Sequence, residues 1–251
     1  MTAIHLVMPM AGRGSRFSAA GFDLPKPLLP LEGEPFFWWA TESVRRVFTL
    51  RSLAFVVLAE HVAAHAIDRE ILARYPEARI VALPDVTSGS LATAVAGCQA
   101  VSGEAWLIVN DCDQAFRAET LAAALPGFAP DTAGFLCHFR SRVPAYSYAL
   151  YDDGGRLVRT AEKDPISDLA IAGAYGFRDR ATFLRYAETY AADCPYPELF
   201  MSGVYNTMAA AGEAVRGGVL DEHLSFGTPR EYEDALGRIG GLRSWRDARQ
   251  A

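Results

Sequence analysis

Residues 9–30 of this 251-residue chain read PMAGRGSRFSAAGFDLPKPLLP, and they follow directly on an apolar run, residues 4–8, that is typical of a buried strand. Within this stretch, Gly12 and Gly14 permit close approach of the backbone to a ligand and conformations denied to other residues. Backbone amides that point inward from such a loop form a cradle for an anion. Its position at the end of a strand therefore predicts a phosphate-binding loop.

Basic side chains strengthen this interpretation, since Arg13 and Arg16 carry guanidinium groups and Lys26 adds an ammonium group between two rigid prolines. The stretch differs from better-known phosphate loops. A dinucleotide fingerprint would have a third glycine where this chain has Phe17, and the Gly-Lys-Ser/Thr of the Walker pattern is absent from the sequence. The other motifs of protein kinases are absent too. The alternative is a surface loop with incidental charges, but the convergence of glycines and basic residues at one strand end weighs against it.

Strand-like and helical segments alternate along the first half of the chain. The pattern predicts strands at residues 53–58, 79–83 and 106–109, and helices at residues 35–47, 61–75 and from 90 onward. Such alternation indicates βαβ units and a parallel sheet with ligand sites at the carboxyl ends of its strands. The second half reads as mixed and antiparallel, with predicted strands at residues 133–140, 146–151, 156–161 and 170–177, and helices at 180–192, 199–211 and after Pro229.

The composition is that of an ordinary globular protein: 51% of the residues are hydrophobic, 22% are charged, and the formal net charge is −6. An acidic chain argues against general affinity for nucleic acid or for an anionic membrane. The apolar start of the chain is too short for a membrane span and shows no signal for secretion, so we expect a cytoplasmic protein. The cysteines form no CxxC pair, which favours reduced thiols over a zinc site; they are Cys98, Cys112, Cys137 and Cys194.

The strand predicted at residues 106–109 ends abruptly in Asn110-Asp111-Cys112-Asp113. Because alternate residues of an extended segment face the same side, Asp111 and Asp113 are expected to point together from the edge of the sheet. Carboxylates beside substrate phosphates are typical of Mg²⁺, which would neutralise charge on a leaving pyrophosphate. For one of the two aspartates the alternative is a turn or helix-capping role. Glycosyltransferases use a similar Asp-x-Asp pair, but they have no need of a basic loop that surrounds a triphosphate.

The glycine loop with its following Arg and Pro-Lys-Pro resembles the signature of the sugar-phosphate nucleotidyltransferases. It is most similar to a capsule- and surface-polysaccharide-associated branch that also includes cytidylyltransferases of non-sugar phosphates. The matching residues are Gly12, Gly14, Arg16, Phe17, Gly21, Pro25, Lys26, Pro27 and Leu28. The resemblance implies an α/β fold with a Rossmann-like, mostly parallel mixed sheet flanked by helices, and no β-helix domain.

The same resemblance implies roles for individual residues. Arg16 and Lys26 would bind the triphosphate and the transferred phosphate, Asp113 would be the main metal ligand with Asp111 second, and Lys163 would hold the phosphate of the acceptor. The predicted nucleotide-binding residues are Ala11, Gly12, Arg13, Gly14, Ser15, Thr87, Ser88 and Gly89. The last three precede a predicted helix, whose N-terminus favours a phosphate.

On the acceptor side, Glu162 and Lys163 are followed by residues 167–177, which resemble the acceptor region of the family. An adjacent Glu-Lys pair alone is typical of solvated surface charges. The predicted acceptor-binding residues are Tyr148, Glu162, Gly173, Glu198 and Asn206.

The chain departs from the family near its C-terminus. Gly227-Thr228-Pro229 matches a family motif, but many members carry an aspartate, as a second metal ligand, where this chain has Ser225. Either Asp113 binds the metal largely with phosphates and water, or Asp221 or Glu222 takes the missing place.

Together these features predict a nucleotidyltransferase that couples a nucleoside triphosphate to a phosphorylated small molecule and releases pyrophosphate. A sugar 1-phosphate for surface polysaccharide is the leading acceptor, and the alternative is a cytidylyltransferase acting on phosphocholine or a phosphorylated amino acid. A glycosyltransferase and a non-catalytic nucleotide sensor remain as further classes. We expect one domain over residues 1–251, with a nucleotide-binding half at 1–115 and an acceptor-binding half at 116–251. The aromatic run at residues 36–39 could belong to the core or to a homodimer interface.

Overall fold

The computed structural model describes residues 2–128, 130–242 and 244. Its strands, in chain order, are β1 Ala3–Pro9, β2 Pro30–Leu31, β3 Glu34–Pro35, β4 Thr49–Leu58, β5 Arg79–Leu83, β6 Trp106–Asn110, β7 Gln114–Arg117, β8 Thr132–Arg140, β9 Ser147–Tyr151, β10 Leu157–Glu162, β11 Leu169–Phe177, β12 Ala214–Val219 and β13 Glu222–Ser225. Its α-helices are α1 Ser15–Ala19, α2 Phe36–Arg45, α3 Ala59–His65, α4 Ile67–Arg74, α5 Ser90–Cys98, α6 Glu119–Ala124, α7 Arg180–Ala192, α8 Met201–Ala210 and α9 Pro229–Arg238. Short 3₁₀ turns lie at Lys26–Leu28, Leu125–Gly127 and Ile239–Leu242.

A nine-stranded sheet runs through the described part of the chain. On one side β5, β4, β1 and β6 lie next to one another in that order and pair in parallel. On the other side β11 pairs antiparallel with β6, β8 and β9, and β10 and β12 continue the sheet. The chain leaves β1 towards β4 on one side and returns to β6 on the other, which opens a crevice at the carboxyl ends of β1 and β6. The predicted fold class, a mostly parallel mixed sheet flanked by helices, is confirmed.

Helix α2 supplies the centre of one core, because Phe36, Phe37, Trp38 and Trp39 are all fully buried. The Trp39 indole N–H finds its partner inside the chain and donates to the Leu31 carbonyl at 2.8 Å. This aromatic run therefore belongs to the core, which decides between the two interpretations that the sequence leaves open.

An aromatic cluster joins the phosphate loop to the C-terminal helix. The Phe17 ring packs edge-on against Phe36 and Tyr232, with ring centroids 5.9 and 6.4 Å apart. The ring centroids of Phe36 and Phe226 are 4.5 Å apart, and the Tyr232 hydroxyl donates to the Pro30 carbonyl at 2.7 Å. The start of α9 is thus held beside the loop that follows β1.

Some elements differ from the sequence prediction. The helix predicted at residues 61–75 is divided into α3 and α4 at Ala66, whose φ of 49° is left-handed. Strands β7, β12 and β13 are not indicated by the sequence, because they are short and rich in polar residues or glycine. β7 and β13 form a separate antiparallel pair that sets Gln114 opposite Ser225.

Two further sequence predictions concern the cysteines and membrane-spanning segments. Cys98, Cys112 and Cys137 are buried and Cys194 is half-buried, each as a free thiol. Within the described ranges, no helix is long and apolar enough to cross a membrane.

Candidate active site

The loop after β1 turns at Gly14, which precedes α1 with a left-handed φ of 62°. A Cβ at this position would lie 3.0 Å from the Cβ of Lys26, so the glycine also allows Lys26 to pack closely against the loop. In α1 the Phe17 ring is buried and anchors the helix, whereas the neighbouring Arg16 is exposed. The loop therefore presents Arg16 and Lys26 at the carboxyl end of β1.

An ion pair joins this loop to the segment after β6, where Lys26 Nζ lies 2.9 Å from Asp113 Oδ2. Burial lowers the pKa of the Lys26 ammonium, but the Asp113 carboxylate outweighs burial, and the pKa is raised above its usual value. For Asp113 the balance runs the other way, since burial raises its pKa and the Lys26 ammonium more than offsets this, so the pKa is lowered. Both partners are therefore held in their charged forms.

Two glycines make room for the two aspartates. A Cβ on Gly173 would overlap the Asp111 carboxylate, and a Cβ on Gly227 would lie 2.6 Å from Asp113 Oδ2. The Asp111 N–H donates to the Gly173 carbonyl at 2.7 Å. Burial, followed by the nearby Asp113 carboxylate, raises the pKa of Asp111 to about 7. Hard carboxylate oxygens with glycine-lined space around them fit a divalent cation.

Two cavities open at this edge of the sheet and meet at these side chains. The larger cavity, about 440 Å³, lies between the loop after β1 and the segment that leads into α5. The smaller cavity, about 200 Å³, lies between β9, β11 and the start of α9. Both are lined by Arg16, Asp111, Asp113 and Gly227. Ligands in the two cavities would therefore meet beside the Lys26–Asp113 ion pair.

Most of the predicted nucleotide-binding residues line the larger cavity, namely Ala11, Gly12, Gly14, Ser15, Thr87 and Gly89. Arg13 and Ser88 are not among its lining residues. The Arg13 guanidinium instead lies 2.7 Å from Asp85 Oδ1 and 3.5 Å from Glu60 Oε1. Ser88 accepts the Leu199 N–H at its carbonyl, at 3.0 Å. Arg13 thus ties the loop after β1 to the far rim of the larger cavity.

The predicted acceptor-binding residues are more scattered. Of these residues Gly173 lines the smaller cavity. Glu162 does not line it, but its carboxylate accepts hydrogen bonds from Ser147, a lining residue, at 2.7 Å, and from Ser202. Lys163 follows β10 and lines neither cavity; its Nζ lies 6.0 Å from the centroid of the Phe200 ring.

Three of those residues lie away from the smaller cavity. Tyr148 is fully buried and donates its hydroxyl to the Val143 carbonyl at 2.6 Å, so it supports the cavity wall from behind. Glu198 lines the larger cavity instead. The Asn206 side chain is bonded to both backbone groups of Thr160, at 2.6 and 3.2 Å, because β10 is an edge strand whose outer side has no neighbouring strand in the described sheet. The location of these three side chains does not support the acceptor contact expected from the sequence.

Sequence reasoning missed several residues of the smaller cavity: Gln114, Phe139, Tyr146, Tyr175, His223 and Glu231. One of them carries a sequence signal, because Thr228-x-x-Glu231 before an amphipathic segment is a capping box. The structure shows one of the two bonds of this motif, because the Glu231 N–H donates to Thr228 Oγ1 at 3.2 Å. The Glu231 carboxylate accepts from the Thr228 hydroxyl at 3.0 Å. The others come from short strands and loops that meet only in the folded chain.

Neither replacement expected for the aspartate missing at Ser225 reaches the site. Asp221 accepts the Thr120 N–H at 3.0 Å at the start of α6, and the bond from the Thr120 hydroxyl lowers the pKa of this carboxyl. Glu222 lines a third cavity beside α9. Across the described ranges, no group of three or more His, Cys, Asp or Glu side chains could hold a metal ion. A cation at Asp111 and Asp113 would therefore share its coordination with substrate phosphates and water.

Two joined polar cavities, with a basic loop above one of them, define an enzyme that brings the phosphates of a nucleotide against a second substrate. The sequence pattern of the MobA-like NTP transferase domain matches residues 7–162, more than half of the chain, and the chain belongs to this family. It is thus a nucleotidyltransferase acting on a sugar phosphate or a similar phosphorylated substrate. Members of the family generally use divalent metal ions.

Solved structures agree with this assignment. A nucleoside-diphosphate-sugar pyrophosphorylase from Vibrio cholerae RC9 matches with a TM-score of 0.79 and 26% identity, over 93% of this chain and 100% of that chain. The inositol-1-phosphate CTP transferase from T. maritima matches with a TM-score of 0.73 and 16% identity, over 95% and 96%. HddC from Yersinia pseudotuberculosis matches with a TM-score of 0.68 and 15% identity, over 95% and 100%. The last two show the fold alone. No curated protein sequence matches this chain significantly.

Proposed function

We propose that this enzyme joins a nucleoside triphosphate to a sugar 1-phosphate, releases pyrophosphate, and so supplies a nucleotide-linked precursor of a surface polysaccharide. The observation that carries the proposal is the junction of the two cavities at Arg16, Asp111 and Asp113. A triphosphate in the larger cavity and a phosphorylated acceptor in the smaller one would bring their phosphates together there. The resemblance to the V. cholerae pyrophosphorylase supports a sugar as the acceptor.

The chemistry needs no protein nucleophile. An oxygen of the acceptor's phosphate attacks the α-phosphorus in line, and a new P–O bond forms as the bond to the bridging oxygen breaks. The electron pair of that bond leaves with the pyrophosphate. Catalysis is then a matter of positioning and of stabilising charge.

Cationic side chains would supply most of that stabilisation. In the proposal Arg16 and Lys26 hold the triphosphate, and their charge favours the developing pyrophosphate. Lys163 follows β10 and lines neither cavity, and in the proposal its long side chain reaches the phosphate of the acceptor from there. The nucleoside lies against the backbone of Ala11 and Gly12, with Thr87 and Gly89 on the opposite wall.

Mg²⁺ is the cation that we propose for Asp113, with Asp111 as the second protein ligand. When bound, it would supply positive charge to the reacting phosphates. The two glycines that free the carboxylate oxygens support this placement, as does the preference of Mg²⁺ for one or two carboxylates with phosphates and water completing the shell.

A cytidylyltransferase acting on phosphocholine or a similar compound is the second candidate. It is favoured by the walls of the smaller cavity, which Phe139, Tyr146 and Tyr175 line together with the Glu231 carboxylate. Aromatic faces beside a carboxylate suit an ammonium group.

The test is pyrophosphate release in the presence of Mg²⁺. The common nucleoside triphosphates are crossed with a panel of sugar 1-phosphates, phosphocholine and phosphorylated amino acids. Release with one sugar 1-phosphate supports the proposal, and release with phosphocholine alone transfers support to the second candidate. If triphosphate binds but no acceptor gives pyrophosphate, the proposal fails.

A further inference from the structure

A chain of buried amides ends at His223 in the wall of the smaller cavity. Asn110 Nδ2 donates to the Ala40 carbonyl at 3.0 Å, and since a carbonyl can only accept, this bond fixes the orientation of the Asn110 amide. Asn110 Oδ1 then accepts from Gln114 Nε2 at 3.1 Å. The remaining Gln114 oxygen, Oε1, lies 3.1 Å from His223 Nε2. The Ala40 carbonyl therefore fixes which atom donates and which atom accepts in each of these three hydrogen bonds.

The direction of these hydrogen bonds determines which His223 nitrogen carries the proton. Nε2 must donate to Gln114, and so Nδ1 is the acceptor in the neutral ring. The ring stacks on Phe139 with centroids 4.0 Å apart, and burial lowers the pKa of His223 to about 4. Among the described residues, Nδ1 has no hydrogen-bond partner. His223 thus offers a fixed acceptor to a donor group on a ligand.

Glu231 adds acceptors to the same wall. Its Oε1 accepts from the Tyr146 hydroxyl at 2.5 Å, and its Oε2 accepts from the Thr228 hydroxyl at 3.0 Å. Because the Tyr146 proton is committed to Glu231, the tyrosine oxygen can only accept further bonds, one of them from the Ser225 hydroxyl. Of the side chains described for this cavity, Arg16 alone is a permanent cation, and it lies at the junction with the larger cavity.

We infer that the wall formed by Tyr146, His223 and Glu231 selects acceptors whose end remote from the phosphate donates hydrogen bonds and bears no negative charge. The inference rests on the proposed function, because it assigns the smaller cavity to the acceptor. Hydroxyl groups or a protonated amine, which carry O–H or N–H donors, would satisfy the free lone pairs of this wall. Arg140 and Arg238 line the adjoining cavity, which shares these three residues, but they do not line the smaller cavity. A carboxylate in the smaller cavity would therefore meet a like charge and unshared lone pairs, and is disfavoured there.

Calorimetric binding to the full chain tests this inference, with a saturating non-hydrolysable triphosphate analogue present. The probes are glucose 1-phosphate, glucosamine 1-phosphate and phosphoethanolamine, set against glucuronic acid 1-phosphate and phosphoserine. We expect the best neutral or ammonium probe to bind at least about tenfold more tightly than either acidic probe. Equal or tighter binding of an acidic probe overturns the inference, and so does failure of every neutral and ammonium probe to bind.

Two variants assign the selectivity to the wall. Glu231→Gln keeps the backbone N–H that Thr228 caps but removes the charge, and we expect the affinity deficit of the acidic probes to shrink. Glu233→Gln, at an exposed site on the same helix, is the matched control and should leave that deficit unchanged. His223→Phe keeps a stacked ring without Nδ1 and should weaken the best neutral or ammonium probe about tenfold, with triphosphate affinity unchanged. Unaltered binding in both variants overturns the inference. Binding with the expected preference but without pyrophosphate release contradicts the proposed function alone.

Discussion

Lys26 and Lys163 are the two lysines of a chain that otherwise uses arginine for its positive charge. A lysine carries a compact ammonium that the planar guanidinium of arginine does not replace. Lys26 lines the larger cavity, whereas Lys163 lines neither cavity. Their surroundings differ, because Lys26 is paired with Asp113 at 2.9 Å, whereas Lys163 is exposed with a left-handed φ of 54°. Substitution can therefore separate their roles.

Lys26→Ala should lower kcat for pyrophosphate release by a factor of about 100 or more, the scale expected for loss of one strong contact in the transition state. The physical reason is that no other ammonium in the described structure reaches Asp113. The matched control is Arg69→Ala, at an exposed position on α4, which should leave kcat unchanged. A Lys26→Ala enzyme with the turnover of the parent would show that the triphosphate is held elsewhere.

Lys163→Ala should act on the other substrate. If Lys163 holds the acceptor's phosphate, KM for the acceptor rises about tenfold while KM for the triphosphate stays the same, as expected for loss of one charge-assisted contact. Steady-state kinetics with each substrate varied in turn measures both values. A rise in KM for the triphosphate instead would show that Lys163 contacts the triphosphate and not the acceptor.

The residues that sequence reasoning finds are those whose chemistry is local. Lys26 and Asp113 each lie within a short motif at the end of a predicted strand, and the fold brings the two motifs into contact. His223 has no such motif, because its setting depends on Gln114 from β7 and on Phe139 from β8. Asn206 shows the converse error, since a polar residue on a helix can serve the backbone of a neighbouring strand as readily as a ligand.

At the scale of elements, strands with continuous apolar runs are predictable, as β1, β6 and β11 show. β7 and β13 are not, because each is short and is stabilised by pairing with the other rather than by its own pattern. The helix predicted at residues 61–75 has unbroken helical character in its sequence, yet it is divided at Ala66, where no glycine or proline signals a break. The division accompanies burial of His61 in α3 and of Ile67 and Ile71 in α4, which the local sequence pattern does not predict.

Ala66→Gly should stabilise the protein by up to about 1 kcal/mol, because glycine adopts a left-handed φ without the steric cost that Ala66 bears. Ala64→Gly, at an exposed position within α3, is the matched control and should destabilise by about 1 kcal/mol. Urea unfolding at neutral pH measures both free energies. If the two substitutions change stability in the same direction, residue 66 does not have the left-handed conformation described above.

At the scale of the whole molecule, one sheet carries both cavities. β6 and β11 pair antiparallel, so the segment after β6 that bears Asp111 lies against Gly173 of β11 from the second half of the chain. The aromatic cluster around Phe36 holds the start of α9 over the same edge. The site therefore depends on the complete sheet, and conditions that weaken the core should affect the site as well.

His138 links the stability of the sheet to pH. It lies in β8 at 1% exposure, with Nε2 2.7 Å from the Tyr151 hydroxyl, and burial lowers its pKa from 6.5 to about 4. Between these two pKa values the unfolded chain binds a proton at His138 that the folded chain does not. The contribution of His138 to stability is therefore fully present above the pKa of the unfolded state, and it is lost as the pH falls towards the pKa of the folded state. Between about pH 7.5 and about pH 5 this group should cost about 2 kcal/mol of the free energy of unfolding. Urea unfolding at both pH values should show that loss in the parent protein and a smaller one in His138→Gln, whose side chain does not titrate. All other titrating groups are common to the two proteins, and an equal loss in both would mean that His138 is already protonated in the fold.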